Sequence, residues 1–180
     1  MANNCFYDIK VRGNKEGVNR LVNLFEASNT AEKTPCIGRV YSAYVYDRQE
    51  NETEAYVCIS GDCAWSVLAA IIGFTKENAL EQCLREYKLD AECYSEEPGV
   101  GFMEHFLWKD GVRIEETCTD FTEVNVEDLE EDLDDSDWFF EDEHVKILGI
   151  TKENYKNFAN DDGYIRIGGF IYHWHIEEIL

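Results

Sequence analysis

Basic residues are scarce in this chain, and long apolar runs are absent. It has 16 Lys and Arg against 38 Asp and Glu, which gives a formal net charge of −22 over 180 residues. Nucleic acids and anionic membranes attract proteins through Lys and Arg, so we expect no direct binding to bare nucleic acid or to a membrane. No apolar run approaches the roughly 18 residues of a membrane-spanning helix, and the first residues lack the basic and apolar regions of a signal peptide.

The chain also lacks a Cys-x-x-Cys pair, which would suggest a redox motif or a zinc site. Its seven cysteines are an odd number and are scattered along the chain: Cys5, Cys36, Cys58, Cys63, Cys83, Cys93 and Cys118. Such cysteines, in a chain without a secretion signal, favour reduced and mostly buried thiols. We therefore expect a cytoplasmic location.

Hydrophobic periodicity predicts an α+β fold. With 44% hydrophobic residues the chain has enough apolar material for a core. Alternation of apolar and polar residues predicts strands at 5–11, 39–46, 55–59 and 91–95. Apolar residues at i, i+3, i+4 and i+7 predict helices at 15–28 and 65–87. The second helix is expected to be capped by Asp62 and broken at Gly73. The resulting order, β-α-β-β-α-β, is that of the ferredoxin-like fold with an antiparallel sheet and both helices on one face.

Two further elements are predicted beyond this unit. A hairpin at 102–108 and 112–121 flanks Lys109-Asp110-Gly111, a strong turn signal, and a last strand spans 164–176. We accordingly divide the chain into a ferredoxin-like core with an added hairpin at 1–122 and an acidic segment anchored by aromatic residues at 123–145. A C-terminal helix and strand at 146–180 are expected to join the core.

The acidic excess is concentrated between residues 114 and 145, which hold 15 acids and no Lys or Arg. An unstructured acidic tail would lack large apolar groups, but this segment has an apolar stripe and the sequence Trp-Phe-Phe at 138–140. Those groups would fix the segment to a core while its carboxylates face outward and imitate the phosphates of a nucleic acid. The alternative is a solvated acidic face that serves solubility. The predicted partner-binding residues are Glu127, Asp128, Glu130, Glu131, Asp132, Asp134, Asp135, Asp137, Trp138, Phe139, Glu141 and Asp142.

Two smaller groups of residues suggest other chemistry. Glu96, Glu97, Glu104 and His105 surround one predicted turn and could act as general acids and bases in phosphodiester cleavage, although no phosphate-binding loop or zinc motif accompanies them. His173 and His175 would share one face of the last strand and, with His105 or Glu104, could bind a transition metal. An ordinary sheet face is the favoured interpretation, so we expect no metal and no cofactor.

Several short segments give the chain a family resemblance. The sequences SGDCAWSV at 60–67, SEEPG at 95–99 and FMEH at 102–105, with MANNC at 1–5 and GGF at 168–170, resemble the YubB-like proteins of phages, plasmids and other mobile elements. This resemblance implies a ferredoxin-like domain and a bacterial host cytoplasm, and it supplies no catalytic residues. The acidic composition is similar to that of anti-CRISPR and anti-restriction inhibitors.

These observations lead to one main hypothesis and two alternatives. The main hypothesis is an inhibitor that binds the basic groove of a nucleic-acid-handling defence protein, such as a CRISPR nuclease with or without its guide RNA. One alternative is a small nuclease that trims RNA or DNA with the acid and histidine group described above. The other is a non-catalytic binding module, with a ligand pocket near Trp65.

Overall fold

Seven antiparallel strands form an open sheet in the computed structural model, which describes residues 4–28, 37, 39–73, 79–131, 133 and 135–179. The strand order across the sheet is β2-β3-β1-β4-β5-β6-β7. The strands are β1 (Asn4–Asn14), β2 (Val40–Glu50), β3 (Glu54–Ala64), β4 (Asp90–Glu97), β5 (Phe102–Lys109), β6 (Val112–Asn125) and β7 (Tyr164–Gly168). The chain is thus an α+β protein, as predicted.

Five α-helices are seen in the described part of the chain: α1 (Lys15–Ser28), α2 (Ala79–Tyr87), α3 (Val126–Glu131), α4 (Asp137–Glu141) and α5 (Glu143–Ile147). Helix α1 forms where its apolar stripe predicted it, because Val18, Leu21, Val22 and Phe25 all become buried on one side. No helix among the described residues is long and apolar enough to span a membrane.

The stretch between β3 and α2 differs from the sequence prediction. The expected helix from residue 65 is reduced to a π-helical turn, Leu68–Ile72, which Gly73 ends with a φ of 71°. Asp62 does not cap it, because β3 continues to Ala64 and the Asp62 carboxylate accepts hydrogen bonds from Ser42 and Asn4. Thr75, a residue type that often caps helices, follows Gly73 closely but lies outside the described residues.

Chain contacts divide the protein into two units at positions other than those the sequence suggested. Unit 1 comprises residues 1–118 and 171–180, and unit 2 comprises residues 119–170. The acidic segment therefore packs with the residues that follow it, and only the last ten residues return to the first unit. Strand β6 contributes its first half to unit 1 and its second half to unit 2.

In unit 1 the sheet is covered on both faces. Helices α1 and α2 pack on one face over an apolar cluster that includes Ile9, Leu21, Leu84 and Phe106. Residues 171–179, here called the C-terminal strap, lie on the opposite face, where Ile176 packs against Tyr56 and Cys58.

The last strand is shorter than predicted. It ends at Gly168, since Gly168 and Gly169 both adopt positive φ angles, 85° and 73°, that a continuing strand does not allow. A Cβ at Gly168 would also lie 2.7 Å from the carbonyl oxygen of Asp120. The strap that follows has no regular secondary structure, so the prediction that His173 and His175 lie on a strand is wrong.

Candidate functional site

Unit 2 has an apolar core of its own, and the acidic helices are built around it. The core residues are Val124, Leu129, Phe139, Val145, Ile150, Tyr155, Ile165 and Ile167. Each short helix contributes at least one side chain to this cluster, since Leu129 lies on α3, Phe139 on α4 and Val145 on α5. The sequence analysis placed Phe139 among the partner-binding residues, but its ring is only 1% exposed and serves the core instead.

The carboxylates predicted to face outward do so wherever the structure describes them. Asp132 and Asp134 lie outside the described residues. The remaining eight are all exposed: Glu127, Asp128, Glu130, Glu131, Asp135, Asp137, Glu141 and Asp142. Unit 2 as a whole carries 16 acidic and 4 basic residues in its 52 positions. The surface of this unit is therefore strongly negative, and its carboxylates stand on a folded scaffold.

Some of these acids already have local partners. Glu130 forms an ion pair with Lys156, and Asp137 lies 2.8 Å from the Lys152 ammonium. Asp142 caps α5 by accepting hydrogen bonds from the backbone N–H groups of His144 and Val145, and these bonds hold its pKa below the ordinary value. The acids most available to a partner are therefore Glu127, Asp128, Glu131, Asp135 and Glu141.

Trp138 is an exposed aromatic side chain next to these carboxylates. Its indole is 62% exposed although its neighbour Phe139 is buried. It borders two grooves of about 410 Å³ each, one that includes Phe121 and Ile167 and one that includes Asp128 and Tyr164. An exposed aromatic ring among carboxylates combines an apolar contact with charge, as protein-binding surfaces often do.

The four residues of the alternative nuclease site do not form one cluster. Successive strand residues point to opposite faces of a sheet. Glu104 points to the helical face, where its carboxylate accepts hydrogen bonds from the N–H groups of Val67 (2.7 Å) and Leu68 (3.3 Å) and from the Ser95 hydroxyl (2.9 Å). His105 points to the opposite face. Glu104 thus caps the π-helical turn and cannot share a site with His105.

The two acids of the preceding turn are separated in the same way. Glu97 is buried, and its carboxylate accepts a hydrogen bond from the N–H of Val100, which closes the turn between β4 and β5. Glu96, the residue before it on β4, belongs to the other face. This arrangement assigns Glu97 and Glu104 structural roles.

His105 has partners that the sequence analysis missed. Its Nε2 lies 2.9 Å from Glu92 Oε1, and its Nδ1 lies 3.1 Å from Glu115 Oε1. Tyr94 stacks on the imidazole with ring centroids 4.2 Å apart. The one sequence signal for this cluster was Glu92, an acid within the otherwise apolar and neutral strand predicted at 91–95. Nothing in the sequence spacing connected Glu92 to His105.

Glu92 is the buried centre of these contacts. Its side chain is fully buried, and it also binds the C-terminal strap, where the N–H groups of His175 (2.6 Å) and Ile176 (3.1 Å) donate to Oε2. Burial alone would raise the pKa of Glu92, but the hydrogen bonds from His175, His105 and Ile176 outweigh it and lower the pKa. Glu92 therefore remains a carboxylate. The acid that lies beside His105 and His175 is Glu92, whereas the sequence had suggested Glu104.

The sequence also predicted a ligand pocket near Trp65, where the structure shows two local features. The Trp65 backbone has a positive φ of 70°, and the guanidinium of Arg39 lies over its ring at 4.5 Å. The ring is thus covered on one face by a cation from its own chain.

Comparison of the chain with protein-family models, with curated proteins and with solved structures found no match. The case for a function accordingly depends on the charge, exposure and contacts described above.

Proposed function

We propose that this protein is an inhibitor of the anti-CRISPR type, which docks unit 2 onto the basic nucleic-acid groove of a defence nuclease. The observation that carries the proposal is the array of exposed carboxylates held on α3 and α4 by a separate apolar core. A disordered acidic tail would lose conformational entropy on binding, whereas carboxylates on a folded unit are already ordered.

The spacing of the array supports nucleic-acid mimicry. Glu127 and Glu131 are four residues apart on α3 and share one side of the helix, with Cα atoms about 6 Å apart along its axis. Asp128 lies beside them on the same helix. Such a row of closely spaced negative charges has the sign and the repetitive character of a phosphate backbone, which a basic groove is built to bind.

Net charge and Trp138 would have separate roles in such a complex. The negative field of unit 2 would accelerate encounter with a basic groove and make association sensitive to salt. The exposed indole of Trp138 would supply the apolar contact that charge alone lacks, because aromatic residues often dominate the energy of protein interfaces.

For unit 1 we propose a ferredoxin-like topology, in agreement with the YubB-like resemblance of the sequence. The support is the partial strand order β2-β3-β1-β4, all antiparallel, with α1 between β1 and β2 and α2 between β3 and β4. In this proposal unit 1 is the scaffold and unit 2 is the inhibitory surface.

The test is an inhibition assay with purified RNA-guided CRISPR nucleases. We expect the protein to reduce DNA cleavage by at least one nuclease, and to compete with labelled target DNA or guide RNA for that nuclease. Failure to inhibit any of a broad panel, or inhibition in which nucleic acid stays bound with unchanged affinity, would refute groove mimicry. Cleavage of the labelled RNA or DNA by the protein alone would support the nuclease alternative.

A further inference from the structure

Two imidazoles and one carboxylate converge in unit 1, on the sheet face that the C-terminal strap covers. Glu92 Oε1 lies 2.9 Å from His105 Nε2 and 2.8 Å from His175 Nδ1. One nitrogen or oxygen atom from each of the three residues falls within 4.8 Å of the other two. We infer that Glu92, His105 and His175 form a binding site for a divalent transition metal ion of the zinc type.

The second contact of His105 gives the cluster a feature of metal sites. Glu115 Oε1 lies 3.1 Å from Nδ1 of His105, so this nitrogen is placed to donate its proton to a carboxylate. A neutral imidazole with a proton on Nδ1 has a lone pair on Nε2, which here faces Glu92. A histidine that ligates a metal through one nitrogen commonly donates the other N–H to a carboxylate in this way.

The carboxylate of Glu92 is arranged in a similar manner. Its Oε2 accepts the backbone N–H groups of His175 and Ile176, while its Oε1 faces the two imidazole nitrogens. In the tautomer that carries its proton on Nδ1, His105 presents the lone pair of Nε2 to Glu92 Oε1, and a cation between these two atoms would interact with both. A metal ion would satisfy both atoms and would displace any proton held there.

The donor set determines the class of metal. Two imidazoles with one carboxylate suit zinc and its neighbours, and catalytic zinc sites use the same three ligands with a fourth position open. Ligand atoms within 4.8 Å of one another require only small shifts to reach bonds of about 2.0–2.2 Å. Calcium and magnesium prefer sites made of oxygen atoms.

The position of the ligands gives the site a structural consequence. Glu92 and His105 lie on the neighbouring strands β4 and β5, and His175 lies on the strap. Tyr94, which stacks on His105, also donates its hydroxyl to the His173 carbonyl at 2.9 Å. A bound ion would therefore fasten the C-terminal strap to the sheet.

The experiment is titration of the metal-free, reduced protein with Zn²⁺ by calorimetry, repeated with Co²⁺ as a visible-absorption probe. We expect one tight site in the wild type. His175→Ala should weaken that binding by more than ten-fold, and Glu115→Gln by about 10–100-fold. His173→Ala is the matched control, since this exposed histidine lies two residues away outside the cluster, and it should bind Zn²⁺ as the wild type does.

The side chain of His175 is half exposed, so we expect His175→Ala to fold as the wild type does, and circular dichroism checks this. Limited proteolysis gives a second measurement, in which Zn²⁺ should protect the strap in the wild type and in His173→Ala but not in His175→Ala. Equal Zn²⁺ affinity in the wild type and His175→Ala would place the metal elsewhere, on thiols or surface acids, and would overturn the inference. Absence of a tight site in the wild type would overturn it as well. Neither result depends on inhibitory activity.

Discussion

Trp138 and Phe139 are adjacent in the sequence but differ completely in their surroundings. The Trp138 ring is largely in solvent, whereas Phe139 makes edge-to-face contacts with Trp138 and Phe140 inside unit 2. Phe139→Ala should lower the free energy of unfolding of unit 2 by about 3–5 kcal/mol, the usual cost of removing a buried aromatic ring. Denaturant unfolding followed by tryptophan fluorescence and circular dichroism measures this loss.

Trp138→Ala is the contrasting variant. It should lower the unfolding free energy much less than Phe139→Ala does, because it loses one edge-to-face contact but little buried area, and it should weaken binding to an inhibited nuclease by ten-fold or more, as expected for an exposed aromatic anchor. If Trp138→Ala destabilises unit 2 as much as Phe139→Ala does, or binds with wild-type affinity, Trp138 is not a contact residue.

The cysteines provide a second prediction at this scale. Cys5, Cys58, Cys63, Cys83 and Cys93 are buried and free, and Cys118 is exposed. Burial raises the pKa of the Cys83 thiol to about 11, so this thiol is both shielded and protonated at neutral pH. We expect Cys118→Ser to remove a fast phase from the reaction of the native protein with a disulfide reagent, while Cys83→Ser should change nothing until the protein is unfolded. A fast phase that survives in Cys118→Ser at full amplitude would contradict the assignment.

Among the secondary-structure elements, the π-helical turn depends on a carboxylate from a distant strand. Burial raises the pKa of Glu104 above its ordinary value of 4.5, although hydrogen bonds from Ser95, Val67 and Leu68 lower it in part. The folded protein therefore holds this proton more tightly than the unfolded chain does. The protonated Glu104 carboxyl therefore stabilises the folded protein fully at pH values below the ordinary pKa. This contribution to the free energy of unfolding is lost as the pH rises through the pKa that Glu104 has in the folded protein.

Glu104→Gln mimics the protonated group at every pH. In chelator-treated protein, its unfolding free energy relative to the wild type should increase as the pH rises from the acid range toward neutrality. Urea unfolding of both proteins over a pH series measures the difference, and the parallel series for Glu26→Gln, an exposed acid on α1, serves as the control. A difference that stays constant with pH would show that Glu104 does not titrate as described.

Elements with strong local signals were predictable, and those decided by distant contacts were not. Helix α1 follows from its stripe of buried residues, and the hairpin of β5 and β6 follows from Asp110-Gly111. The early end of β7 depends on the backbone conformation of Gly168 and Gly169, which lie inside the strand predicted over 164–176. The cap supplied by Glu104 and the contacts of Glu92 with His105 arise from pairing of β4 with β5, which no local pattern contains. The sequence thus indicated which residue types were available for a site, while the sheet determined which of them meet.

On the scale of the whole molecule, charge is distributed unevenly. Unit 2 has a net of twelve negative charges in 52 residues, while unit 1 has ten in 128. The proposed inhibition follows from this asymmetry, because a basic groove would attract unit 2 more strongly than unit 1. The account therefore predicts that the same loss of charge has different effects in the two units.

The most direct test compares two variants that each lose four exposed charges. One carries Glu127→Gln, Asp128→Asn, Glu131→Gln and Asp135→Asn in unit 2; the other carries Glu16→Gln, Glu26→Gln, Glu52→Gln and Glu86→Gln in unit 1. Affinity for an inhibited nuclease is measured for both variants and the wild type across a salt series. At about 0.5–1 kcal/mol per exposed charge contact, the unit 2 variant should bind roughly thirty- to a thousand-fold more weakly and with a shallower salt dependence. The unit 1 variant should stay within about three-fold of the wild type. Equal losses in the two variants, or no loss in the unit 2 variant, would contradict the account.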